Sequence, residues 1–401
     1  MDESGERIRT LHILTSLNRR GAETFAVQLV DRLSRERFDP AIWTINPPGS
    51  GPDLVPQRTR VLRRPTREGW DQSFLSLLAT VRSYRPHLIQ CHGGRALKYA
   101  TLLKPFWRAG VYVYTKIGSV HPMLDHPVKR WFYGLLFEQP DAIVAVGKLL
   151  QQEIEAQFHP RRPRLLTVYT GRDVTPFLEV TPVTAAQKRA EIGLAPSDLL
   201  LLTVGSLSWE KDPLSLVRHF SDVAQANPRL RLAFAGGGPL AAALEQEVRR
   251  RGLEQRVRLL GVRHDVPALL SAADIFVLPS VTEGLPGVLI EAGMAGLPAV
   301  AYGVGSVSEV LKHEETGYVV PPKDAATFYR RVLTLAGDGD LRCRMGQAAR
   351  EFCRRDFDIH RSVQRHEALF TELLAATRRE QTGADRWAGP ASSRDQRTPL
   401  E

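Results

Sequence analysis

The sequence is poor in cysteine, has no long apolar run and has no dinucleotide-binding fingerprint. Cys91, Cys343 and Cys353 are the only cysteines among 401 residues, and they form neither a CxxC pair nor an even set. This argues against a disulfide scaffold and against a zinc site, and points to a reduced, cytoplasmic setting. No stretch approaches the ~20 apolar residues of a membrane-spanning helix, and DLLLLTVG has only the length of a strand. The opening MDESGERIRT is acidic and polar, unlike a secretory signal, so a soluble protein is expected. GxGxxG spacing is also missing, which weakens a nicotinamide-dehydrogenase reading.

Charge is unevenly spread. Residues 1–175 carry 26 Lys and Arg against 16 Asp and Glu, whereas residues 176–401 carry 28 of each. The excess includes RTRVLRRPTR, Lys98, Lys104, Arg108 and Lys129-Arg130. One reading is an acidic partner surface: anionic lipid, a phosphate-bearing substrate or nucleic acid. The plainer one is an arginine-rich proteome (45 Arg against 9 Lys) with charges scattered over a solvated face.

Short β-like runs alternate with amphipathic helical runs. IRTLHILT, AIWTI, HLIQCHGG, VYVYTKI and DAIVAVG fill the first half; LLLLTVG, LRLAFAG, VRLLG, DIFVLPS and PAVAYG fill the second. This pattern predicts βαβ units and parallel sheets. The alternation lapses around residues 172–197, which places a hinge near 175–197 and predicts two α/β, Rossmann-like domains facing across a cleft, 1–175 and 176–357. A long helix over 358–376 and a disordered, polar tail over 377–401 complete the expected layout.

In such folds, loops that follow strands and open helices receive phosphates and sugars. Four stretches qualify. LNRRGAETFAVQL opens a helix at Gly21, with Arg19 and Arg20 beside it; alone it is also an ordinary βα loop. LLTVGSLSWEKDPLSLV offers Gly205, Ser206 and Lys211. A lysine at a helix start opposes the helix dipole, which favours a ligand over a chance surface position. LAFAGGGPL carries Gly236, Gly237 and Gly238, either as cleft wall or as a tight turn. In TEGLPGVLIEAGMAG, Glu283 stands in the turn, where it could simply cap the helix. Glu291 stands about two turns into the helix among apolar neighbours. An unpaired buried charge costs several kcal/mol, so Glu291 must meet water, a cation or ligand hydroxyls, and a carboxylate accepts two hydroxyls at once.

These stretches resemble the retaining glycosyltransferases of GT-B fold, family 4 (glycosyl transferases group 1). TEGLPGVLIEA resembles the family's paired-glutamate signature, and VGSLSWEKD its diphosphate-clamping loop. FAGGGP, VRLLGVRHDVPALLSAADIFVLPS, TGYVVPPKD, YTGRDVTPF (the usual "nGvD…F") and RGAE follow in the family's places over residues 9–376.

The resemblance implies a C-terminal helix that crosses back to the N-terminal, acceptor-side domain. It implies that Glu291 binds the donor ribose, Glu283 contacts the transferred sugar, and Lys211 neutralises the diphosphate. Gly21, Gly205, Ser206 and the N–H groups of Leu285 and Gly287 assist. His121, in GSVHP, is implied as the sugar-contacting catalytic histidine, with His92 in CHGG as competitor; Arg20 and His92 are candidate acceptor or sugar contacts. Each histidine could instead be structural. Many members have Arg where Ser206 stands, and Arg-Arg precedes Gly21 in place of a second glycine. No metal and no cofactor is implied, the donor being a co-substrate, and no DxD-type cluster occurs in a suitable loop.

The expected activity is retaining hexosyl transfer from a UDP- or GDP-sugar to a glycan or lipid-linked glycan. The expected pathway is cell-surface polysaccharide or glycolipid synthesis, and no nucleic-acid module is recognisable. KPFWRAG and VKRWFYGLLF set aromatics beside cations, as segments resting on the cytoplasmic face of an inner membrane do. Core packing would explain the same aromatics. Two alternatives stay open: a GT-B epimerase or phosphorylase, and a catalytically silent sugar-binding protein.

Overall fold

The computed structural model describes residues 6–18, 21–46, 54–62, 70–107 and 110–382. The chain builds two parallel sheets. The first contains β1 (Ile8–Leu14), β2 (Phe38–Thr44), β3 (Arg60–Val61), β4 (Leu88–His92), β5 (Val111–Lys116), β6 (Ala142–Ala145) and β7 (Arg164–Thr167). The second contains β8 (Leu199–Val204), β9 (Leu230–Ala235), β10 (Val257–Leu259), β11 (Ile275–Leu278), β12 (Ala299–Tyr302) and β13 (Gly317–Val320). Their orders are β3-β2-β1-β4-β5-β6-β7 and β10-β9-β8-β11-β12-β13. In both, growth reverses direction once, at β1/β4 and at β8/β11. Helices on both faces explain why the central strands read as continuous apolar runs.

β3, β7 and β13 are absent from the sequence reading, and all three lie at sheet edges. β3 and β7 are short and half-exposed, so they carry no clean apolar signal; β13 opens with a glycine. Part of the expected hinge is also ordered. Thr181 caps the helix Pro182–Glu191, whose Lys188 and Arg189 pair with Asp265 (2.6 Å) and Asp274 (3.0 Å) of the second half. That helix buries no side chain, so periodicity could not reveal it.

The C-terminal helix, Ile359–Thr382, returns to the first half. Val363, Leu369, Phe370 and Leu374 join Ile8, Phe25, Leu29 and Val113 in one core, and the Ser34 N–H donates to Glu367 at 2.7 Å. The helix outruns its expected end: residues 377–382 are helical, not part of a disordered tail. TRREQT contains good helix formers and no breaker before Gly383; residues 383–401 lie outside the described residues. A second tie joins the halves. Glu309 accepts from the N–H groups of Lys148 (2.8 Å) and Leu149 (2.9 Å) and from the Tyr169 hydroxyl (2.8 Å). Burial opposes its charge, but these bonds and Ser306 hold its pKa below the ordinary carboxylate value.

Beneath the C-terminal helix three histidines meet. His12 stacks on His92 at 5.8 Å, and His366 packs on Phe25 and Phe370. Burial, with neighbouring imidazole charge, pulls His92 down to about 3. Burial pulls His366 down to about 4, against its bond to the Ser362 carbonyl. His12 falls well below its ordinary value, chiefly by burial. The unfolded chain takes up these protons near pH 6.5 and the folded chain does not, so stability is lost as pH falls through that window. The expected loss is roughly 1.4 kcal/mol per pH unit per histidine. Urea unfolding between about pH 7.5 and about pH 5 measures it; His366→Leu should flatten the slope, and an unchanged slope would contradict the assignment.

Candidate active site

Adjacent strands at a reversal point leave a crevice beyond their carboxyl ends. β8 and β11 are such neighbours. β8 runs into Gly205-Ser206 and the turn Trp209–Lys211; β11 runs through Glu283 into the helix Gly287–Ala295. The two loops are tied by Val281 N–H to the Glu210 carbonyl at 2.8 Å. Lys211 Nζ lies 2.5 Å from Glu283 Oε1, and Ser280 Oγ donates to the same oxygen at 2.7 Å. A Cβ on Gly205 would stand 3.5 Å from Lys211 Cε, so the lysine stem lies over that glycine. Ser206 Oγ and Ser208 Oγ are 3.0 Å apart in the exposed part of the loop.

The glycine triplet forms a wall of this crevice. Gly236 has φ +158°, and a Cβ there would fall 1.8 Å from the Gly205 carbonyl oxygen. Leu207 N–H donates to the Gly237 carbonyl and Leu240 N–H to the Leu207 carbonyl, both at 2.9 Å. The triplet thus allows the two loops to touch.

The structure does not bring the two glutamates onto one partner; each has its own cation. The helix begins at Gly287, so Glu291 stands one turn in, not two. Arg172 Nε donates to Glu291 Oε1 at 2.8 Å, and Arg172 is only 5% exposed. The cation that Glu291 demanded is therefore Arg172, which sequence reasoning missed. Its signal was GRD, a charged residue where the family segment carries an apolar one.

From the first half, Gly21 opens the helix Gly21–Arg32, and a Cβ there would stand 3.7 Å from Arg172 Nη2. Arg20 lies outside the described residues. Lys116, at the end of β5, is buried and donates to the carbonyls of Ile117 (3.2 Å), Gly118 (2.8 Å) and Ser119 (2.8 Å). Burial draws its pKa down to about 8. This brace presents Gly118 to the Glu283 loop, where a Cβ on Gly284 would fall 2.7 Å from the Gly118 nitrogen. Leu285 packs against the cores of both halves. His121, three residues beyond Gly118, opens the short helix His121–Leu124 and is exposed. His92 is 5% exposed, with its ring packed inward on His12. Its place at a strand end suggested a cleft contact, but β4 is covered on both faces, all five of its residues are buried, and the His92 ring lies on the face beneath the C-terminal helix. Among the described residues, no three His, Cys, Asp or Glu side chains cluster to hold a metal.

Two sequence profiles match this chain: "Glycosyltransferase Family 4" over residues 19–175 and "Glycosyl transferases group 1" over residues 185–352. The chain is a family 4 glycosyltransferase of GT-B fold. Curated relatives of this glycosyltransferase include the Bacillus anthracis N-acetyl-alpha-D-glucosaminyl L-malate synthase, 27% identical over 65% of this chain and 65% of that enzyme. Another is the Escherichia coli UDP-Gal:alpha-D-GlcNAc-diphosphoundecaprenol alpha-1,3-galactosyltransferase, 27% identical over 47% of this chain and 49% of that one. Anabaena HepE, solved with UDP and glucose, superposes with TM-score 0.81 at 20% identity, covering 91% of this chain and all of HepE.

Gly236→Ala would drive a methyl into the Gly205 carbonyl at a backbone angle that L-residues avoid. It should lower stability by about 2 kcal/mol or more, read as a reduced urea midpoint. An unchanged midpoint would mean that the two loops do not touch.

Proposed function

We propose that this glycosyltransferase moves a sugar, with retention, from a UDP- or GDP-sugar to a glycan or lipid-linked glycan in cell-surface polysaccharide or glycolipid synthesis. The observation that carries the reading is the placement of Lys211 and Glu283 on adjacent strand loops at the β8/β11 crevice, with Glu291 on the helix that follows. In the free protein Lys211 and Glu283 neutralise each other. A donor diphosphate draws Lys211 away, and its charge grows as the glycosidic bond breaks, so the lysine stabilises the transition state more than the ground state. Glu283 is then released to accept sugar hydroxyls, and Glu291 accepts the ribose hydroxyls. N–H groups of Leu285 and Gly287, with the Gly21, Gly205 and Ser206 loops, complete the donor cradle; the exposed His121 takes the sugar-side role in preference to the inward His92. No cofactor is needed in this scheme. Two carboxylates each bound to a cation suit holding a donor better than the acid and base of a glycosidase. Support for the donor and acceptor classes comes from the UDP in the HepE structure and the UDP-Gal and diphosphoundecaprenol in the E. coli enzyme's name.

Nucleotide release from a panel of UDP- and GDP-sugars tests the reading. Lys211→Ala should lower kcat/KM by about 100- to 1,000-fold, and Glu291→Ala should raise donor KM by about tenfold or more. Isomerised sugar without an acceptor would favour the epimerase, and no turnover with any donor would favour a silent sugar-binding protein.

The acceptor side carries a second feature. Val128, Trp131, Phe132 and Leu135 line one face of the helix Pro127–Phe137 and are all exposed. Lys98 Nζ lies 5.9 Å from the Phe132 ring and 5.5 Å from that of Tyr133. Trp107 instead turns inward to the Pro86 carbonyl at 3.1 Å, so only part of KPFWRAG is surface. No helix among the described residues is long and apolar enough to cross a membrane. The exposed row fits a protein seated on the anionic cytoplasmic face of a membrane, where a lipid-linked acceptor would be met. Cosedimentation with phosphatidylglycerol vesicles should be strong at low salt, fall as salt rises, and weaken in Trp131→Ala. Failure to bind at low salt would remove the membrane assignment.

A further inference from the structure

Between Gly205 and Asp212, the loop that follows β8, Lys211 is the single cation. The hinge segment supplies another. The Arg172 guanidinium uses Nε on Glu291 and Nη1 on the Gly171 carbonyl, at 2.8 and 3.0 Å. Its third nitrogen, Nη2, has no hydrogen-bond partner among the described residues. That nitrogen lies 1.6 Å from where a Cβ on Gly287 would be and 3.7 Å from where one on Gly21 would be. It therefore fills the space left by the first residue of the Gly287–Ala295 helix, facing the start of the Gly21–Arg32 helix.

Both helix starts are electropositive, so a cation between them is repelled from two sides. Among the described residues, Glu291 is the one carboxylate bound to it. A side chain only 6% exposed, with an open donor between two anion-receptive helix ends, is half of an anion site.

We propose that Arg172 is the second cation of the donor diphosphate site, its Nη2 donating to a phosphoryl oxygen while Nε keeps Glu291 aimed at the ribose. This rests on the nucleotide-donor reading above. The planar Arg172 fork holds a carboxylate on one nitrogen and can offer another to a phosphate in a fixed relative geometry, which the rotatable donors of a lysine do not fix.

The test compares wild type, Arg172→Lys and Arg172→Gln, binding UDP, GDP, uridine, guanosine and inorganic pyrophosphate by calorimetry and ligand-observed NMR. Expected is an affinity loss of about 10- to 100-fold for pyrophosphate and the preferred nucleoside diphosphate in the glutamine variant. The lysine variant should fall between, while the matching nucleoside stays within about threefold, the scale of one displaced weak hydrogen bond. Equal losses for nucleoside and nucleoside diphosphate would make Arg172 a purely structural partner of Glu291 and overturn the proposal, as would unchanged diphosphate affinity. Circular dichroism confirms folding; should the glutamine variant not fold, the lysine variant carries the comparison. If wild type binds neither UDP nor GDP, the donor reading itself fails, an outcome separate from any difference among variants.

Discussion

A carboxylate set into an apolar helix cannot stand unpaired, and the cleft of this protein is organised around that constraint. Glu291 lies among Leu289, Ile290 and Ala292, all buried, and its cation comes from the hinge segment. The arginine holds its place because its own backbone is fixed: the Arg172 N–H donates to the Phe357 carbonyl (2.8 Å) and the Ile359 N–H to the Arg172 carbonyl (3.1 Å). Gly171 permits that approach, since a Cβ there would fall 2.5 Å from Ile359 Cα. A single ion pair therefore links the helix Gly287–Ala295, the crossing between halves and the start of the C-terminal helix.

Glu283 solves the same problem differently. Its carboxylate is 9% exposed and takes Lys211 and Ser280 on one oxygen, all from loops of the second sheet. One glutamate is bound within its own half and the other to the junction. The two carboxylates consequently respond to different events: the first to what enters the second-half crevice, the second to how the halves meet.

Much of this was legible in the sequence. The βα alternation, the Lys211 loop and the two glutamates each carry a local signal: an apolar run, a glycine at a strand end, a charge where charge is costly. What stayed hidden was set by tertiary context. Arg172 looks like a surface residue until the chain folds Glu291 onto it, and Lys116 until three carbonyls close around its ammonium. His92 carried the right address, a strand end, but its strand is covered on both faces and its ring is packed inward. The edge strand β7 and the helix Pro182–Glu191 expose too much of themselves to show a period. Sequence reasoning could state that Glu291 needed a partner, and only the fold could name it.

The chain passes between the halves twice, and the two passages are sewn together. Residues Arg172 and Asp358 form a small parallel bridge, so outgoing and returning strands behave as one pin. Two separate tethers would let the halves slide; a stitched pair favours rotation about that point. In any such rotation, parts far from the pin, such as the Gly118–Gly284 contact, would travel furthest, while Arg172 and Glu291 would sit near the axis and travel least. The Arg172–Glu291 end of the crevice would keep its geometry throughout such a swing, and the Gly118–Gly284 end would act as its gate.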